Sequence, residues 1–133
     1  MKIKKIISTG KALAIAIIVL GAIHGAATFS PLMSDGLLCL DKGKMNAMLY
    51  MSLIAGASLI LSGIILLMLF NHVENHKFLT SSILVIGVFL ALNGVLAVCL
   101  MKENPFAWLA YFINTFMLLI TIFLKTNFKT IQL

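Results

Sequence analysis

The charged residues of this chain are bunched, and the gaps between the bunches limit what it can fold into. Between Lys11 and Asp35 lie 23 uncharged residues, and between Lys44 and Glu74 there are 29. Lys77 and Lys102 bracket 24 more, and Glu103 and Lys125 bracket 21. A helix needs about 20 predominantly apolar residues to cross the hydrocarbon core of a bilayer. Each window is long enough for one span and too short for two. The expected spans are 12–29, 46–70, 78–101 and 105–124. Hydrophobic residues make up 62% of the 133 positions and charged residues only 11%, against roughly 25% charged in soluble domains. A water-soluble fold of this length has no interior large enough to hide that apolar surface. The expected fold class is all-α: one integral membrane domain over 1–133, a four-transmembrane-helix bundle. Short connections make successive helices antiparallel, so an up-down arrangement follows.

All ten cations are lysine, and the net charge is +6. Such a charge raises the question of nucleic acid. Here the lysines flank the spans, where they meet lipid headgroups. No exposed stretch interleaves basic and aromatic residues over a useful length, so no nucleic-acid partner is expected. Lysine placement also orients the chain. Lys2, Lys4, Lys5, Lys11, Lys77, Lys125 and Lys129 fall on one side; Lys42, Lys44 and Lys102 fall on the other. The positive-inside rule then puts both termini in the cytoplasm of a bacterial-type inner membrane. A competing reading treats Lys2–Lys5, the apolar run 12–23 and Gly25-Ala26-Ala27 as a cleavable secretory signal. The apolar run continues past that site to Phe29, which favours a retained first span.

Helices in lipid associate through small residues that let backbones approach. Each span carries such a face. Span 1 has Gly21, Gly25 and Thr28; span 2 has Ser52, Ala55, Gly56, Ser62 and Gly63; span 3 has Gly87, Ala91 and Gly94. In span 4, Ala107, Ala110, Tyr111, Asn114 and Thr121 share one side. Asn104 is placed to cap span 4, with Pro105 at its first position. His24-Gly25 and Asn93-Gly94 lie at similar depths in spans 1 and 3, as do Tyr50 and Tyr111 in spans 2 and 4, which suggests two parallel repeats.

His24 is the only ionisable residue deep inside a span, and intramembrane ionisable groups are candidate functional residues. It lies seven residues before Pro31, about 10 Å of helix, so it belongs to the outer half. Tyr50, Asn93 and Asn114 fall at comparable depth. With Tyr111 they form a candidate ligand-binding set lining an outward-facing polar cavity, with His24 at its centre. The plainer alternative makes His24, Asn93 and Asn114 interhelical hydrogen-bonding residues. Trp108 and Tyr111 also suit an interfacial aromatic belt.

Other constellations are incomplete. His72, Glu74 and His76 sit together in the second loop, but two histidines and one acid do not complete a metal site. Cys39 and Cys99 are expected on the same, oxidising side, where a disulfide is possible; the alternative is two free thiols. Four-span quinone reductases that generate disulfides use closely spaced cysteine pairs, and none occurs here. Small multidrug transporters need a carboxylate inside the membrane, whereas Asp35, Asp41, Glu74 and Glu103 all fall in loops. No catalytic residue, cofactor or metal is expected.

The stretch Leu20-Gly21-Ala22-Ile23-His24-Gly25, followed by Phe29 and Pro31, resembles the first span of small DoxX-like four-helix membrane proteins. The resemblance covers about one span and implies the four-helix topology; it carries over no catalytic residue. The reading is a small polytopic inner-membrane protein, non-enzymatic, serving as a membrane subunit or as a binder of a lipid-like or small ligand. Its expected partners are membrane lipid, another copy of itself or another membrane protein. The alternatives are a quinone-linked thiol oxidoreductase component using Cys39 and Cys99, and a small oligomeric transporter.

Overall fold

The computed structural model describes residues 2–31 and 40–130. They form four α-helices: α1, Lys2–Ala27; α2, Lys42–His72; α3, Leu79–Leu100; and α4, Pro105–Thr130. All four are long and apolar enough to cross a membrane. Their outward faces carry exposed Ile15, Val19, Ile54, Val85, Leu92, Phe116 and Phe123. Such a surface is costly in water and suits lipid, where a helix already satisfies its own backbone polar groups.

The helices overrun three of the expected spans. α1 starts at Lys2 rather than near residue 12, α2 starts at Lys42 rather than 46, and α4 runs to Thr130 rather than 124. Charge-free windows report where the apolar sequence stops, whereas a helix continues as long as its hydrogen bonds and packing hold. Ile7 and Phe128, both in segments expected to be tails, are buried in the core. α2 starts early because Asp41 caps it, its carboxylate accepting from the Lys44 backbone N–H at 3.0 Å. The Lys44 ammonium lies 3.0 Å from the same carboxylate. That N–H first, and then the ammonium, hold the Asp41 carboxyl below its ordinary pKa. The cap therefore stays charged at neutral pH and is lost only as pH falls through that lowered value. Asn104 accepts from the Phe106 N–H at 2.9 Å, as expected of the cap before Pro105.

The helices associate as two close pairs, α1 with α2 and α3 with α4; α1 also packs on α4, and of the neighbouring helices α2 and α3 touch least. Numbering runs in opposite directions across each close pair. A Cβ added at Gly63 would lie 2.8 Å from the Ala14 carbonyl oxygen, and one added at Gly21 would lie 2.7 Å from that of Gly56. Across the other pair, a Cβ at Gly87 would meet Thr121 at 2.7 Å, and one at Gly94 would meet the Tyr111 Cα at 3.0 Å. These are the small-residue faces read from the sequence, with one exception. A Cβ at Gly25, the second glycine of the GxxxG pair, would meet nothing within 4 Å.

The apolar core fills the end of the bundle where α1 begins and α4 finishes, around Ile7, Phe70, Val73, Ile83, Leu124 and Phe128. Toward the other end the buried side chains include the polar Thr28 and Asn114 beside Ala107 and Ala110.

The glycine contacts separate two substitutions of equal size. Gly63→Ala places a methyl group against backbone and is expected to destabilise the folded protein by about 1–3 kcal/mol. Gly25→Ala is expected to leave stability unchanged or slightly raised, since alanine is the better helix former. Reversible unfolding in mixed micelles checks both, and equal losses at the two positions would contradict the packing described.

Candidate functional site

Three helices meet through His24. Just past the end of α1, the Thr28 hydroxyl lies 3.0 Å from the His24 carbonyl oxygen one turn earlier. The same hydroxyl is 2.7 Å from Ser52 Oγ on α2, and Ser52 Oγ is 3.3 Å from His24 Nε2. A carbonyl only accepts, so Thr28 donates its single hydrogen there. Ser52 must then donate to Thr28, and its own hydrogen is used. The remaining contact requires His24 Nε2–H to donate to Ser52. The chain of bonds thus fixes the proton on Nε2 and leaves Nδ1, in the neutral ring, as an acceptor. The imidazole also stacks on Phe106 of α4, with ring centroids 5.7 Å apart and planes inclined by 25°.

Beside this cluster lies a cavity of about 100 Å³, below the range of about 300–1,000 Å³ of sites for drug-sized ligands. α4 forms its floor with the buried residues Ala107, Ala110 and Asn114, and Phe106 and His24 close one side. α2 contributes Ala55, Ser58 and Leu59; α3 contributes Asn93, Ala97 and Met101. Every one of these α2 and α3 residues is at least partly exposed, as are His24 and Phe106, and the cavity borders the seam between those two helices. They are also the neighbours that touch least.

The polar groups in the wall differ in what they have left to give. Ser58 donates to the Ala55 carbonyl at 2.8 Å, and Asn93 donates its amide to the Phe89 carbonyl at 2.9 Å. The Ser58 hydrogen is therefore spent within its own helix, while Asn93 keeps a second amide N–H. Asn114 is 1% exposed, and its Oδ1 has no hydrogen-bond partner. Leaving a buried acceptor unpaired costs about 1–3 kcal/mol, and such a group is usually matched by something that fits beside it.

Of the five residues expected to line a cavity, the structure brings together His24, Asn93 and Asn114. Tyr50 does not join them: it is 64% exposed on the outside of α2. Depth along a helix placed it at the right level, but its position around the helix turns it outward. Tyr111 is also outside the cavity, its ring packed edge-on against Trp108 and Phe112. Trp108 in turn donates its indole N–H to the Lys102 carbonyl at 2.8 Å. Cys99 is exposed with a free thiol, while Cys39 lies outside the described residues. His76 packs against Phe78, and among the described residues no three potential metal ligands gather.

Sequence reasoning did not single out Phe106, Ser58 or Met101 for the site, nor the hydrogen-bonding role of Ser52 and Thr28. Ser52 and Thr28 were legible only as small residues. Phe106 had no signal separating it from the other phenylalanines. Compared with protein-family models, curated proteins and solved structures, the chain matches none.

Two measurements follow from this geometry. In a double-mutant cycle, Thr28→Val and Ser52→Ala are expected to couple by about 0.6 kcal/mol, at most about 1.7, as interhelical hydrogen bonds in membranes do; additive losses would mean that the bond is absent. Asn114→Leu removes an unpaired buried acceptor and keeps similar volume. In detergent without added lipid it is expected to raise the unfolding temperature. A fall would show that Asn114 instead holds helices together.

Proposed function

We propose that this chain is a small polytopic protein of a bacterial-type inner membrane, an up-down bundle with both termini in the cytoplasm. Its work is to bind a lipid-like or small ligand, alone or as a membrane subunit, rather than to catalyse a reaction. The lysine distribution supports the orientation, which turns the cavity toward the outer side. The buried Asn114 carbonyl in the cavity wall is the observation that carries the binding reading. A purely structural polar residue would be expected to bond a neighbouring helix, as Thr28 and Ser52 do. The small volume suits one end of a molecule whose remainder lies in the bilayer. The DoxX-like likeness of span 1 belongs to the same proposal: within Leu20–Gly25, Gly21 meets α2 and His24 joins the polar cluster.

A lipid extract from the host membrane is expected to raise the unfolding temperature of the purified wild-type protein. Asn114→Leu and His24→Gln are expected to lose most of that gain, while Ser81→Ala, exposed at the opposite end of α3, keeps it. Equal gains in all four proteins would show that the lipid acts on the outer surface, and the cavity reading would fall.

A further inference from the structure

We infer that the cavity takes the hydroxyl group of a neutral, singly chained lipid alcohol, admitted sideways from the bilayer between α2 and α3. This rests on the binding reading above and specifies its ligand. The first argument is the chemistry of the wall. Asn114 Oδ1 is buried without a partner and accepts hydrogen bonds only. Ser58 has used its one donor and Asn93 one of its two on backbone carbonyls, and His24 uses Nε2–H on Ser52. Among the described residues no donor bonds Asn114 Oδ1, so a ligand that pairs it brings the hydrogen.

A hydroxyl brings that hydrogen and also offers lone pairs to the asparagine N–H group. A carboxylate or phosphate ionised at neutral pH has no hydrogen to give, and among the described residues the wall holds no lysine to meet its charge. An ammonium has hydrogens, but among the described residues the wall holds no carboxylate, and burying the unpaired charge is costly. A plain hydrocarbon leaves Asn114 as it is. The neutral hydroxyl is the group that satisfies the site without bringing charge into it.

The second argument is the route. The floor from α4 is buried, whereas the α2 and α3 walls are partly exposed along their seam. Ala55 and Ala97 keep that seam narrow-walled, and Leu59 and Met101 make it apolar. A cavity of about 100 Å³ admits a head and the first carbons of a chain. The rest of the chain lies along the seam, where it meets the same apolar surface as the surrounding lipid.

The test uses the full-length protein in phosphatidylethanolamine–phosphatidylglycerol vesicles. Four photoactivatable diazirine probes of equal chain length are compared: an alcohol, an alkane, a carboxylate and a primary amine. Labelled peptides are mapped by mass spectrometry, with the corresponding plain alcohol as competitor. The alcohol is expected to label α2 near Ala55–Leu59 and α3 near Asn93–Met101, about threefold to tenfold more efficiently than the alkane, the range one net hydrogen bond provides. Asn114→Leu is expected to bring alcohol labelling down to the alkane level. Ala97→Phe, which fills the seam, is expected to abolish both.

Equal labelling by alcohol and alkane in the wild-type protein would overturn the hydroxyl assignment and leave a cavity that binds chains. Preference for the carboxylate or the amine would replace the assignment with that class. Labelling confined to the outer surface, unaffected by Ala97→Phe, would overturn both this inference and the binding reading, and would leave the cavity to water. Circular dichroism and gel filtration of each variant establish that it is folded.

Discussion

A methyl group added to Gly21 would strike the carbonyl of Gly56, and one added to Gly63 would strike that of Ala14. This close passage of α1 and α2 is the constraint on which the rest of the bundle depends. In lipid no hydrophobic force separates a buried leucine from one facing the bilayer, so helices hold together by contact and by the few hydrogen bonds they share. Glycine lets the backbones approach, and the approach brings Ser52 within reach of both Thr28 and His24. The α3–α4 pair repeats the device with Gly87 against Thr121 and Gly94 against Tyr111. Two well-packed hairpins then meet along α1 and α4, and the α2–α3 seam is left as the loosest join.

That unequal packing separates two environments along the bundle. Around Phe70, Ile83 and Leu124 the interior is closed and apolar. Toward the ends of α1 and α3 it opens, and the buried residues there include the polar Thr28 and Asn114 beside Ala107 and Ala110. The hydroxyls of Thr28 and Ser52 are matched within the protein, so they support the fold. The Asn114 carbonyl is unmatched and sits in a wall with a mouth, where an unpaired acceptor contributes nothing to stability. A group that weakens the apo protein at one well-defined place, inside an otherwise satisfied bundle, is the physical basis of the binding proposal.

His24, Asn93 and Asn114 were legible as a group because a polar residue inside an apolar window stands out against its neighbours, and counting from the nearest turn gives its depth. Tyr50, read from its depth, and Tyr111, read from its depth and its place on the small-residue side of span 4, lie outside the cavity. Depth is one of two cylindrical coordinates; the other, rotation about the helix axis, depends on which side meets a partner. Gly21 and Gly25 show the same limit, since both belong to one motif and only the first has a crowded Cβ position. Phe106 became a neighbour of His24 through the packing of α1 on α4, a contact between residues 82 positions apart in the chain.

Local sequence specifies four apolar helices, where α3 and α4 begin, and which residues are small enough to sit between helices. It does so because charge spacing, glycine and capping residues act locally, within a few residues of the structure they specify. Packing sets the rest: that α1 and α4 extend into the lysine-bearing tails, that Ser52 and Thr28 fix the His24 proton on Nε2, and that one asparagine of two in the wall has a buried oxygen without a partner. Each of these depends on where a side chain on one helix meets another, and that is set by the packing of all four together.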